Sequence, residues 1–172
     1  MRISRVSILM LLAGIAATSA TAQNKDLSGT WNLNVAKSFM GGDHPSSDYR
    51  LTRKIEQKDG AISITDSSIH ASIVNIPLPD STTTMEFAAD GKEHDIKLPP
   101  PFPGMPAMPA KLSAVWQGCT LEIRKLTAGF GGSAKERLFL SEDGLQLIVL
   151  VEQHSTYSDS EQRLVFDKQR QP

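Results

Sequence analysis

One cysteine in 172 residues leaves no partner for an internal disulfide, so the fold must hold without a covalent framework. That residue, Cys119, follows a glycine and reads as a small half-buried side chain beside a turn. An excess of one charge is missing too: 18 Lys and Arg stand against 19 Asp and Glu. Such a balance leaves no electrostatic footprint for nucleic acid or an anionic lipid surface. His44, His70, His94 and His154 are scattered, with no His-x-His pair and no carboxylate at a recurring ligand spacing. There is no Gly-x-Ser-x-Gly elbow, phosphate-binding glycine loop or His-Glu-x-x-His. These absences argue against an enzyme, a resident metal and a cofactor. Glu152 and His154 alternate onto one strand face as the nearest approach to a general-base pair, and they lack a third member.

Long apolar runs are scarce, with one exception. Arg2 and Arg5 precede an apolar core of about a dozen residues from Val6 to Ala17, and Ala20-Thr21-Ala22 fits a small-x-small cleavage site. The core falls short of the roughly 20 residues that span a bilayer. Residues 1–22 are therefore expected to be a signal peptide, and no later segment is apolar enough to span a membrane. Its removal would shift the formal charge from −1 to −3. The expectation is a periplasmic or secreted bacterial protein, monomeric, with one domain over 23–172.

Helical periodicity is also lacking. From Leu27 onward the period is two, punctuated by Asp59-Gly60, Asp90-Gly91, Gln117-Gly118 and Asp143-Gly144. Asp-Gly supplies the positive φ of tight hairpin turns. Strands are predicted near 28–35, 48–57, 61–68, 69–76, 81–88, 92–98, 111–118, 120–127, 134–141, 145–153 and 160–168. Ile62 and Ile64 share one face, as do Met85 and Phe87, and Leu112, Ala114 and Trp116. Leu147 to Val151 is apolar on both faces, as a central strand would be. Consecutive hairpins that close on themselves remove exposed sheet edges, so an antiparallel up-and-down barrel is the first reading and a β-sandwich the second.

The first strand, Gly29-Thr30-Trp31, resembles the Gly-x-Trp signature of lipocalins and their relatives in the calycin group, which includes the fatty-acid-binding proteins. The resemblance implies that Gly29 lets the chain pass closely and that Trp31 plugs one end of a barrel. "LSGTWNLNVAKS", "DGKE" at Asp90 to Glu93 and the closing "LVFDKQ" also resemble a group of small exported bacterial proteins described only as lipocalin-like. The resemblance implies an arginine late in the barrel stacked on the tryptophan, a place Arg163 could fill from outside. Fatty-acid-binding proteins end in an Arg-x-Tyr pair that grips a carboxylate; here Val165 stands where that tyrosine should be.

Two further features bear on a ligand. Arg53 shares a face with Tyr49, Leu51 and Ile55, and Lys125 shares one with Leu121 and Ile123, so both charges interrupt apolar rows. Either a bulge resets the register and sends them outward, or they face a cavity that receives an anionic amphiphile. "LPPPFPGMPAMPAK", residues 98–111, is expected to run as polyproline II and to form no paired strand. It reads as a stiff connector, a lid at the barrel mouth, a pair of soft copper ligands in Met105 and Met108, or a surface for a proline-recognising partner.

The resulting expectation is a non-enzymatic barrel that binds a small apolar or amphipathic molecule, with Trp31, Arg53, Met85, Phe87, Trp116 and Lys125 at the ligand and Phe102, Met105 and Met108 at the mouth. The alternative is a filled barrel acting as an envelope or protein-interaction module.

Overall fold

Alternating side chains and glycine turns build almost the whole molecule. The computed structural model describes residues 26–41, 48–69, 72–73, 76–77, 79–100, 104–127 and 132–169. The expected signal peptide lies outside them, as do His44, His70 and Phe102. In chain order the elements are β1 (Gly29–Leu33), a 3-10 turn (Val35–Lys37), β2 (Arg50–Lys58), β3 (Ala61–Ile69), β4 (Ser72–Ile73), β5 (Ile76–Pro77), β6 (Ser81–Ala88), β7 (His94–Leu98), β8 (Met108–Gln117), β9 (Thr120–Thr127), β10 (Ser133–Leu140), β11 (Gln146–His154) and β12 (Asp159–Lys168).

Ten strands form one antiparallel sheet in the order β6-β3-β2-β1-β12-β11-β10-β9-β8-β7. First and last strands pair, Trp31 opposite Lys168, so the sheet curls into a nearly closed barrel. The edges are β6 and β7, consecutive in the chain yet unpaired with each other. The Asp90-Gly91 signal is thus not a hairpin. It carries the chain across the gap: Gly91 donates its amide to Ala114 at 2.8 Å, and Asp90 forms a lone bridge with Val115. A true hairpin turn stands at Asp59-Gly60, where φ values of 52° and 83° are both positive, as a type I′ turn requires.

Two expectations need correcting. Residues 69–76 are not a barrel strand; beyond Ile69 the chain makes a separate two-stranded ribbon, β4 with β5. The proline-rich segment does enter the sheet, since Met108 opposite Leu98 and Pro109 opposite Lys97 begin β8. The missing amide of Pro109 is tolerated because pairing with β9 starts only at Ala110.

Short turns crowd one end of the barrel, at 59–60, 118–119 and 141–145, together with the crossing at 89–93. The strand ends at Leu33, Arg50, Ile69, Ser81, Leu98, Met108, Thr127 and Ser133 lie at the other, with the short 155–158 turn between β11 and β12. At the turn end Trp31 is fully buried and its indole donates to the Leu27 carbonyl at 3.0 Å. Gly29 has φ 148°, and a Cβ there would stand 3.4 Å from Trp31 Nε1. That separation is an ordinary contact, so it is the positive φ, rarely adopted by residues with a side chain, that favours glycine here. The cation on the ring is Lys168, its Nζ 5.2 Å from the centroid, and not Arg163. Arg163 instead donates to the Lys37 carbonyl while its backbone bridges Phe39.

Removing the Trp31 plug should cost about 3–5 kcal/mol, the usual range for truncating a large core aromatic. Trp31→Ala is expected to shift the urea midpoint accordingly at unchanged slope. Lys168→Ala, which removes only an exposed cation–π contact, should cost about 1 kcal/mol or less in the same experiment.

Candidate functional site

Inward-facing side chains change character from one end of the barrel to the other. On β9, Leu121 and Ile123 are fully buried and Lys125 is half-buried. On β10 the series from the turn end is Leu138 buried, Glu136 nearly so and Ala134 half-buried. On β11, Leu147 and Val149 are 0% exposed, Val151 is 7% and Gln153 is exposed. β12 runs from Phe166 at 0% through Leu164 at 7% to half-buried Gln162, and β2 runs from Ile55 through Arg53 to half-buried Leu51. The turn end is packed solid, and the interior becomes accessible toward the loop end.

At the boundary sits a belt of charges. Arg53 faces inward between Trp31 and Asp66, its partners across β1 and β3. Its guanidinium forks onto the Asp66 carboxylate at 2.6 and 2.7 Å. The same group reaches Glu136 at 3.5 Å, and Glu136 accepts from Lys125 at 2.5 Å. Because β1, β12 and β11 separate β2 from β10 in the sheet, the Arg53–Glu136 contact joins opposite walls across the interior. Arg53 also stands over the Phe166 ring, 5.6 Å from its centroid, which seats the belt on the apolar core. Both cations therefore face inward in an unbroken register, and both are paired.

Burial disfavours charge on Glu136, yet Lys125 and Arg53 outweigh it and hold the carboxyl at about 2. Burial likewise disfavours the Arg53 cation, and Asp66 and Glu136 overcompensate, so its pKa is raised. Tyr49 feels the same field: burial first, then the Asp66 charge, raise its phenol above the usual value.

The other predicted residues divide cleanly. Trp31 and Phe87 belong to the buried core, with Met85 and Trp116 packed against it at the turn end. Met105 is exposed in the proline connection, and Met108 is half-buried at the start of β8. Glu152 and His154 do not act together: Glu152 binds Lys135 and Arg137, and His154 contacts Asp159 at 3.1 Å. Sequence reasoning missed Asp66 and Glu136, the partners that make an inward Arg53 and Lys125 tolerable.

A cleft of about 510 Å³ lies where β7, β8 and β9 meet; Asp95, Lys97, Pro109, Lys111 and Leu126 reach it from the outer face, with Ile96, Ala110 and Thr127 from the inward rows. A more polar cleft of about 1170 Å³, lined by Lys37, Asp143, Gln146, Asp167 and Lys168 among others, flanks β1 and β12 near the turn end. Neither is lined by Trp31, Met85, Phe87 or Trp116.

No family model matches the sequence, and no curated protein matches it. Similarity is found among solved structures. Fatty-acid-binding protein 1 of Echinococcus granulosus aligns with a TM-score of 0.56 at 11% identity, over 84% of this chain and 98% of that one. A secretory abundant heat soluble protein of Ramazzottius varieornatus gives 0.57 at 9% identity, over 86% and 98%. Zebrafish ileal bile acid-binding protein, complexed with cholic acid, gives 0.52 at 16%, over 83% and 98%. The shared feature is the fold, a calycin-like barrel.

The belt has a signature in acid. A carboxyl held at about 2 when folded, against 4.5 when free, contributes its full stabilisation above the free value and loses it as pH falls toward 2. The contribution is on the order of 3 kcal/mol. Melting temperature should therefore drop steeply between pH 4.5 and 2 in the native protein, and Glu136→Gln, less stable at neutral pH, should show a shallower fall over the same window.

Proposed function

We propose that this protein is an exported, non-enzymatic binding protein that carries one small apolar or amphipathic molecule in the loop-end half of its barrel. The observation that carries this reading is the burial gradient: on β2, β10, β11 and β12 inward side chains pass from buried up to the charge belt to half-buried or exposed beyond it, at Leu51, Ala134, Gln162 and Gln153, while Ala110 on β8 stays buried. A barrel needed only as a packed module has no use for an accessible interior above its core. Nor does the belt serve stability well, because a buried ion network is often no better than apolar packing of the same volume. Its position under an accessible space suits recognition of a polar head, with the apolar remainder against Ile96, Ala110 and Leu98.

Fold neighbours whose names state fatty-acid and bile-acid binding support a carrier by analogy. The leader-like residues 1–22 support export. The packed turn end favours the second reading, a filled barrel that acts through its surface, and the same experiment separates the two.

Native mass spectrometry of the protein purified from a bacterial periplasm should show an added mass that disappears on denaturation. Ala134→Trp, which places a bulky ring on the inward face beside Lys125, should weaken binding of an apolar fluorescent probe by about 10-fold or more, equivalent to 1.4 kcal/mol. Thr82→Trp on the outer face should leave it unchanged. A bare protein that binds no probe would move the assignment to the surface module.

A further inference from the structure

The charges of the belt cancel. Arg53 and Lys125 are matched by Asp66 and Glu136, and each cation already has a carboxylate within direct contact. An incoming carboxylate would add a third negative charge to this closed set. It would have to displace Glu136 from Lys125, or Asp66 from a two-pronged grip on Arg53, and strand a buried acid without a partner. Two inward neighbours along the belt are uncharged: Thr83 stands opposite Asp66, and Gln162 lies on the row of Glu136 beyond Val151, while His94, beyond Leu112 on the row of Lys125, contacts Asp90. Thr83 and Gln162 are half-buried, and neither side chain makes a hydrogen bond to another described residue. A hydroxyl or amide can bond to them, and to the outer faces of Asp66 and Lys125, without disturbing any ion pair.

We propose, resting on the carrier reading above, that the site selects an amphiphile with an uncharged, hydrogen-bonding head group over the corresponding carboxylate. The belt acts as a neutral polar floor. Its side chains are exposed just enough to be reached, Asp66 at 23% and Lys125 at 14%, while Arg53 and Glu136 lie deeper at 7% and 10%. Selectivity arises because every fixed charge is already answered inside the protein.

The test compares 1-dodecanol with dodecanoate as competitors for an apolar fluorescent probe, at about pH 7.5 where the acid is ionised. Native protein should bind the alcohol about 10-fold tighter or more. Glu136→Gln leaves one cation in excess, and there dodecanoate should gain about 10-fold while dodecanol changes little. Asp66→Asn makes the same change in charge from the other side of the barrel and serves if Glu136→Gln does not fold. Equal or tighter binding of dodecanoate by the native protein would overturn the inference and leave the carrier standing. An unchanged ratio in a folded charge variant would also overturn it, because the belt would not be setting the choice. Failure of both compounds to displace the probe, or of the probe to bind, would overturn the carrier reading and this inference with it.

Discussion

The contact between Arg53 and Glu136 is the constraint on which the interior depends. It spans the barrel from β2 to β10, and neither partner could stay buried without a second ion: Asp66 for the guanidinium, Lys125 for the carboxylate. Remove any one and a desolvated charge is stranded, which is why the four behave as a unit. The belt also fixes what lies on either side of it. Below, apolar side chains from Trp31 to Phe166 pack to full burial; above, the same strands present Thr83, Gln162 and Gln153.

A barrel with a missing rung must protect two edges, and here the chain does so with its own crossing. β6 and β7 do not pair, yet Gly91 and Asp90 lean onto β8 and tie the gap shut at the turn end. On the exposed faces of β3 and β6, Thr65 bonds Thr84 and Ser67 bonds Thr82, a hydroxyl ladder that keeps this edge hairpin polar outside. β7 is short, five residues with charges at Asp95 and Lys97, a common way to discourage edge-to-edge association.

Much of this was legible in the chain. Alternation and positive-φ turn residues located nearly every strand, because those signals are local. The period of two alone left open whether a bulge turns Arg53 and Lys125 outward, and the unbroken pairing of β2 and β9 keeps both inward. What escaped is non-local. Asp66 sits in "SITDSSI", where polar residues fall on both faces and nothing marks the acid as inward. Glu136 lies 83 residues from its arginine. Asp90-Gly91 has the local chemistry of a hairpin, and only barrel closure decides that its flanking strands separate. Lys168 takes the place expected for Arg163 because the β1–β12 register sets it opposite Trp31, whereas Arg163, five residues earlier, alternates onto the outer face.

Fold likeness at identities near one in ten carries the course of the backbone but not the lining of the interior. The same calycin-like trace is found in proteins whose names state fatty-acid binding, bile-acid binding or heat solubility, so what a given barrel holds is decided by the inward positions at its accessible end. In this chain those positions are dominated by an ion network that satisfies itself. A barrel that grips an acid must keep a cation in reserve for it. Here both cations of the belt, Arg53 and Lys125, are already paired with carboxylates, so under the proposed carrier reading the chemistry left for recognition would be that of neutral donors and acceptors above a floor with no net charge.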